Sequence, residues 1–302
     1  MAAVIQVREL TKSFNEIKAV NNLSFTVEQG LVYGFIGQNG AGKSTTIRLL
    51  LTLVAPLSGQ IEIFGQPLAQ NRNEILRNIG ALIERPDLYN YLTAFENLKL
   101  FAALSGVKIN KNYLMNQLQQ VGLDARADSK VKTFSQGMKQ RLGIAIALVH
   151  NPELIILDEP MNGLDPQGIA DIRQLILNLR RQQGKTIFVS SHLLSEVEQI
   201  ADSLLIIHKG EKVIEGTVQD LLNPEESMVE VETKMQDELI KGLTDSQWVS
   251  RLYKREDEKL IFRMKKNEMP AFISAVGNLQ LQVFSIRRKN SLEDYFLSLT
   301  TQ

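Results

Sequence analysis

Gly37 to Ser44 reads GQNGAGKS and fits G-x-x-x-x-G-K-S. A loop with few side chains lets successive backbone N–H groups close round phosphate oxygens, and the positive end of a following helix adds to the attraction. Gly37, Gly40 and Gly42 suit such a loop, Lys43 is expected to reach the β and γ phosphates, and Ser44 to offer its hydroxyl to Mg2+. Further on, LIILDE carries the chain through a sheet and brings out Asp158, with Glu159 next to it. Adjacent carboxylates with different surroundings divide labour readily, so Asp158 is expected to serve the metal and Glu159 to polarise an attacking water. His192 follows FVSS, another strand-like run, and could meet a γ phosphate there; His150 and His208 are read as structural. A fourth group, TFSQGMKQRL at 133 to 142, places a serine and a glycine at the opening of a helix, which makes a second anion site. One nucleotide does not need two such helix starts from a single molecule, so the second is expected to complete a neighbour's site.

These residues require strands that end where the chemistry begins. LVYGFI (31 to 36) runs into the glycine loop, and KSTTIRLLLTL carries helical spacing as far as Pro56. LIILD, TIFVS and LLIIH read as buried strands, with amphipathic segments such as IADIRQLILNLRRQ between them, so the expected fold is α/β with a parallel sheet. Residues 94 to 150 are mostly helical in pattern and read as an insertion. After VIEGTVQDLLNPEES the character changes. MVEVET, WVSRLY, KLIFRM and LQVFSIRR alternate with helical MQDELIKGL and EMPAFISAVGNL, an order that suggests a small α+β, ferredoxin-like unit followed by a short helix, SLEDYFLSL. The expected division is a nucleotide-binding domain over 1–218, its helical subdomain at about 85–150, and an accessory domain over 225–302. KREDEK (254 to 259) reads as a solvated hairpin turn, RRK (287 to 289) as a strand end, and Trp248 as packing.

Composition narrows the classes. The chain has 302 residues, 44% hydrophobic and 23% charged, with 34 basic side chains balancing 34 acidic ones. No global field draws it to nucleic acid or to an anionic membrane, and no nucleic-acid partner is expected. It lacks cysteine, which excludes disulfides, thiolate zinc sites and cysteine nucleophiles. MAAVIQVREL meets charge too early for a secretion signal, and the apolar runs fall well below the roughly 20 residues a spanning helix needs, so if the protein works at a membrane a separate protein must cross it.

In order along the chain, Gly37 to Thr45 resembles the Walker A motif, with Gln38, Asn39, Ala41 and Thr45 among its residues. FSQGMKQRL resembles the ABC signature, LIILDEP the Walker B motif with its glutamate, NGLD with Asp165 the D-loop, and His192 the switch histidine. The ordered set is similar to that of ABC-type ATPases. The resemblance implies a head-to-tail dimer with two ATP molecules at the interface, each between one subunit's P-loop and the other's signature. Ser135 and Gly137 would be the contacts made in trans. Phe14 matches the aromatic that stacks on adenine in this family, with packing in the interior as its alternative. The signature departs from L-S-G-G-Q, since Phe134, Gln136 and Met138 replace three of its five residues. The family's usual glutamine, which links metal and water to the membrane partner, is replaced by Glu84 in IGALIERPDLYNYLTAFENL. A glutamate there resembles the branch of ABC ATPases that protects against bacitracin and lantibiotics. It can still bind Mg2+ through one oxygen but brings a charge that glutamine lacks; its alternative is a surface acid near Arg85.

Two functions of different class follow. The first is a transport motor, peripheral on the inner face of the cell membrane, in which ATP closes two subunits, hydrolysis reopens them and a separate permease is driven. A groove between the helical insertion and residues 84–97 would receive the permease's cytoplasmic helix. The second is a soluble ABC-type ATPase acting on ribosomes or nucleic acid. Such proteins commonly carry two ATPase units, coiled-coil arms or a basic linker, and this chain has one unit, no heptad arm and no net charge.

Overall fold

The computed structural model describes residues 2–222, 226–244 and 247–289. The chain divides into two compact units, Met1–Thr217 and Val218–Gln302. The helix expected at SLEDYFLSL lies outside the described residues.

The first unit runs β1 (Ala3–Phe14), β2 (Ile17–Glu28), β3 (Val32–Ile36), α1 (Lys43–Leu50), β4 (Ser58–Ile63), β5 (Gln66–Pro67), α2 (Arg72–Arg77) and β6 (Ile79–Leu82). Then come α3 (Ala94–Leu104), α4 (Lys111–Gln120), α5 (Gln136–Leu148), β7 (Leu154–Asp158), α6 (Pro166–Gln183), β8 (Thr186–Ser191), α7 (Leu194–Glu198), β9 (Ser203–His208) and β10 (Glu211–Thr217). A six-stranded sheet has the order β10-β9-β3-β8-β7-β6; it is parallel except for β10, which pairs antiparallel with β9. The four continuous apolar runs became β3, β7, β8 and β9 because this sheet is covered on both faces, which removes the polar half of the usual strand alternation. Within β7, Ile155 and Leu157 pack with α3 to α6, while Leu154 and Ile156 face the other side with Tyr33, Phe35 and Phe188.

That other side is closed by a second, antiparallel sheet, β2-β1-β4-β5, together with Ile47, Leu49 and Leu50 of α1. The sequence reading did not include this sheet. Its signal was present as short alternations, VIQV in β1 and FTV in β2, but three register shifts between Val7 and Ser13 break the period of two that would have revealed it. Two further elements shifted at their ends. α1 stops at Leu50, short of Pro56, and the strand expected at WVSRLY begins only at Leu252, because Val249–Arg251 form a single tight turn.

Helical segments dominate between Ala94 and Leu148, as expected. α3 opens on a reciprocal cap in which the Thr93 hydroxyl accepts from Glu96 N (3.1 Å) and the Glu96 carboxylate accepts from Thr93 N (2.8 Å). These bonds hold the Glu96 carboxyl below its ordinary range. Buried Asn97 accepts from Tyr89 N and donates to the Tyr89 and Thr93 carbonyls, which fixes the loop before α3.

The second unit runs α8 (Val218–Leu222), β11 (Glu226–Glu232), α9 (Gln236–Gly242), β12 (Leu252–Glu256), β13 (Lys259–Lys265), α10 (Met269–Asn278) and β14 (Ser285–Lys289). Its antiparallel sheet has the order β12-β13-β11-β14. KREDEK forms the β12–β13 hairpin, RRK ends β14, and Trp248 packs edge-on against Phe272 with ring centroids 5.3 Å apart.

Candidate nucleotide site

Four neighbouring parallel strands, β3, β8, β7 and β6, deliver their carboxyl ends to one edge of the large sheet. In an open α/β sheet this edge is where ligands bind. The strands place there, in spatial order, the Gly37–Ser44 loop, His192, the Asp158–Glu159 pair and Glu84.

The loop's shape depends on its glycines. Gly42 has φ 107°, and a Cβ on it would collide with the Ala19 carbonyl oxygen of β2. Gly40 has φ 81°, again the left-handed region that other residues adopt at a cost. The loop then turns into α1, whose first acceptor, the Gly42 carbonyl, is taken by Thr46 N (2.9 Å). The N–H groups of Lys43, Ser44 and Thr45 therefore have no acceptor within the helix. Lys43 is 6% exposed and donates to the Gly37 carbonyl (2.7 Å) and the Gln38 carbonyl (3.3 Å). It also forms an ion pair with Glu159 Oε1 at 3.2 Å.

Glu159 is the centre of the arrangement. Its other oxygen, Oε2, lies 2.7 Å from His192 Nδ1, so with Glu159 ionised the imidazole proton sits on Nδ1. Its backbone has φ 50°, an uncommon conformation that costs on the order of 1 kcal/mol and clusters at functional sites. Asp158 is fully buried, and its Oδ1 accepts from the Ser190 hydroxyl at 2.5 Å. The same hydroxyl accepts from Glu159 N at 3.0 Å, so Ser190 sets the position of both carboxylates. Burial pushes the Asp158 carboxyl above its ordinary range; the Ser190 and Ser44 hydroxyls oppose this, and the charges of Glu159 and Glu84 add to it. Sequence reasoning did not single out Ser190. Its signal was only its place in FVSS, two positions before His192.

The Oδ2 atom of Asp158 is buried and has no hydrogen-bond partner of ordinary geometry. A carboxylate oxygen in that state is costly unless a cation or a bound group meets it. The donor set suits Mg2+, a hard ion that takes oxygen ligands and keeps several of its waters. Among the described residues no cluster of three or more His, Cys, Asp and Glu side chains could hold an ion alone. The remaining ligands would be the Ser44 hydroxyl and nucleotide phosphates.

Glu84 follows β6, has φ 54°, and accepts a hydrogen bond from Arg48 Nη2 at 2.6 Å. Its partner is thus a residue of α1 and not its neighbour Arg85. Phe14, at the β1–β2 hairpin, is 48% exposed, which removes interior packing as its explanation; Lys12 Nζ stands 5.1 Å from its ring centroid and donates to the Ala55 carbonyl.

The other helix start stands apart. Ser135 is exposed and caps α5, its hydroxyl accepting from Met138 N (3.3 Å). A Cβ on Gly137 would meet only Leu164, at 3.9 Å, so that position opens to space. Gln136 donates to the Asn162 carbonyl (3.3 Å), which ties this start to the turn before α6, and Asp165 caps α6 by accepting from Gly168 N (3.2 Å). Beside the start of α5, Arg85, Leu88, Tyr89, Phe101 and Lys139 line a groove of about 790 Å³.

His150 donates to the Ile79 carbonyl (3.1 Å) and burial lowers its pKa; His208 ends β9. His150 thus lies at the amino end of β6, away from the four strand ends, whereas His208 stands at the carboxyl end of β9, the parallel neighbour of β3, on the same edge of the sheet.

Comparison with known proteins accords with this geometry. The family model described as ABC transporter matches residues 20–162. The bacitracin transport ATP-binding protein BcrA of Bacillus licheniformis is 52% identical over 210 residues, which are 70% of this chain and 68% of that protein. The lantibiotic transport ATP-binding protein SrtF of Streptococcus pyogenes is 42% identical over 223 residues, 74% of this chain and 95% of that one. A dimeric ATP-binding cassette, solved in a post-hydrolysis state with ADP and Pi, matches with TM-score 0.64 and 25% identity over 71% of this chain and 98% of its own. The chain therefore belongs to the ATP-binding subunits of ABC transporters. It is a P-loop α/β ATPase that binds and hydrolyses ATP.

Proposed function

We propose that two copies of this chain close head to tail on two ATP molecules and drive a separate polytopic permease whose cargo is a peptide antibiotic of the bacitracin or lantibiotic type. The observation that carries the dimer is the division of the chain into one side with metal, water and phosphate residues in mutual contact and another, Ser135 to Gly137, that faces space. A dimeric relative of the same fold supports it.

Each residue then has a task. Gly37 to Thr45 wrap the phosphates, Lys43 exchanges its loop carbonyls for β and γ oxygens, and Phe14 offers its exposed ring to adenine. Asp158, Ser44 and Glu84 would hold Mg2+, which when bound would offset phosphate charge. Glu159, held by His192, takes a proton from the attacking water, and His192 then faces the γ phosphate. Ser135 and Gly137 of the second copy, followed by its Asp165 turn, close over that phosphate.

Among the described residues no helix is long and apolar enough to cross a membrane. We place the chain on the inner face of the cell membrane, with the permease's cytoplasmic helix in the groove lined by Tyr89, Phe101 and Lys139. The ATPase domain is taken as 1–218, with its helical subdomain at about 85–150. The accessory domain, 225–302, is read as ferredoxin-like on the strength of its β-α-β-β-α-β succession and its antiparallel strand order. The peptide-antibiotic cargo is supported by the likeness to BcrA and SrtF and by Glu84.

The test is to tag the chain in its native cell, solubilise membranes in mild detergent and identify stoichiometric partners. A polytopic permease is expected, together with increased sensitivity of a deletion strain to bacitracin or a lantibiotic. Ribosomal proteins that persist at high salt, with no permease, would overturn the transport reading. Unchanged sensitivity to both antibiotics would remove the cargo alone.

A further inference from the structure

Three carboxylates, Asp158, Glu159 and Glu84, stand at the ends of two neighbouring strands, on the edge where a triphosphate of about four negative charges would sit. Such a concentration of like charge repels the ligand unless each carboxylate has its own cation. Glu159 has Lys43, at 3.2 Å. Asp158 is buried with one oxygen unpartnered, the place for a metal. Glu84 has Arg48, at 2.6 Å.

Arg48 comes four residues after Ser44 on α1, so the two project from the same face of the helix, one turn apart. Glu84 follows β6, whose parallel neighbour β7 ends at Asp158, so its charge stands on the nucleotide edge. The ion pair itself is half-exposed, 45% for Arg48 and 58% for Glu84, and exposed pairs add roughly 0–1 kcal/mol to folding at most. Fold stability therefore gives little reason for the pair.

We propose that Arg48 is a positioning residue that balances the charge of Glu84, so that the pair offers the ATP site an oxygen ligand with no net charge instead of a third uncompensated anion. It deepens the reading of Gly37–Ser44 as the ATP site and rests on it. Two consequences follow from Coulomb's law. Without Arg48, metal-free ATP meets an uncompensated carboxylate and binds more weakly. Mg2+ meets the same carboxylate and is attracted more strongly, so the factor by which Mg2+ tightens ATP binding rises.

The experiment is equilibrium binding of ATP to the full chain at low salt, in EDTA and in saturating Mg2+, for the wild type, Arg48→Met, Glu84→Gln and the double variant. Arg48→Met is expected to weaken metal-free ATP binding about five-fold and to enlarge the Mg2+ factor by a similar amount. In the Glu84→Gln background the same substitution is expected to change both quantities by less than about two-fold. Equal losses in the two backgrounds would mean that Arg48 acts through α1 alone and would overturn the proposal, as would an unchanged Mg2+ factor in Arg48→Met. If the wild type binds no ATP, the site reading falls and takes this proposal with it; if it binds and the cycle is additive, only the charge compensation falls.

Discussion

The two helix starts of this ATPase differ in how much of their bonding is met from within. At α1, Lys43 is buried, holds two loop carbonyls and pairs with Glu159, which in turn holds His192. At α5, Ser135 and Gln136 are exposed, and the serine hydroxyl caps its own helix. Both have a helix N-terminus and a glycine, so the difference lies in the carboxylates and strand ends around them. A helix start becomes a reaction site only where a sheet edge supplies charge beside it; the bare start at α5 can contribute binding but no water activation. That contrast is the physical basis for assigning the chemistry to one side of each copy and the clamp to the other.

The largest expected effect tests the built side. Replacing Glu159 by glutamine removes the carboxylate proposed to take the water's proton and is expected to lower the steady-state hydrolysis rate by a factor of about 10² to 10⁴, read by phosphate release, while ATP still binds. A variant that hydrolyses at the wild-type rate would move the base elsewhere. The next effect tests the bare side. Ser135→Arg fills the space over α5 and is expected to cut hydrolysis by roughly 10² while ATP affinity of the dilute monomer changes less than about two-fold. An equal loss of monomer affinity would break the comparison, since Ser135 would then belong to its own copy's site.

Phe14→Ala sharpens the comparison by removing the proposed stacking contact with adenine, which is distinct from the carboxylates. Loss of a stacking platform costs about 1–3 kcal/mol per base, so ATP affinity is expected to fall about ten-fold with the rate at saturation nearly unchanged, measured by titration and turnover together. The smallest effect lies at the amino end of the same sheet. Burial holds the His150 imidazole below its ordinary range, so the unfolded chain binds the proton more readily than the folded one. Stability is then expected to decline as pH falls through about 6.5 and to level off below the folded value. His150→Gln should flatten that slope in urea unfolding between pH 7 and 5, and leave hydrolysis at pH 7.5 within about two-fold.

How far the sequence revealed this depends on the range of each interaction. Gly37–Ser44, LIILDE and FSQGMKQRL are local, because a loop that closes on phosphate or a strand that ends in a carboxylate is written in consecutive residues. The large parallel sheet was legible for a related reason, as its strands are buried on both faces and stay apolar throughout. The β1–β2–β4–β5 sheet was not, since its bulged strands lose the alternation that marks a half-buried strand. Arg48–Glu84 and Ser190–Asp158 are separated by 36 and 32 residues and exist only once β6, β7 and β8 lie side by side. Nothing in ERPDL says that Glu84 meets Arg48 of α1 and not its neighbour Arg85.

Sedimentation of the Glu159→Gln chain, at high concentration with and without MgATP, tests most directly whether the built side of one copy needs the bare side of another. A dimer that appears with MgATP, is absent with MgADP, and is lost again in Glu159→Gln combined with Ser135→Arg is the expected result. A chain that stays monomeric with saturating MgATP would contradict the division of the site between two copies.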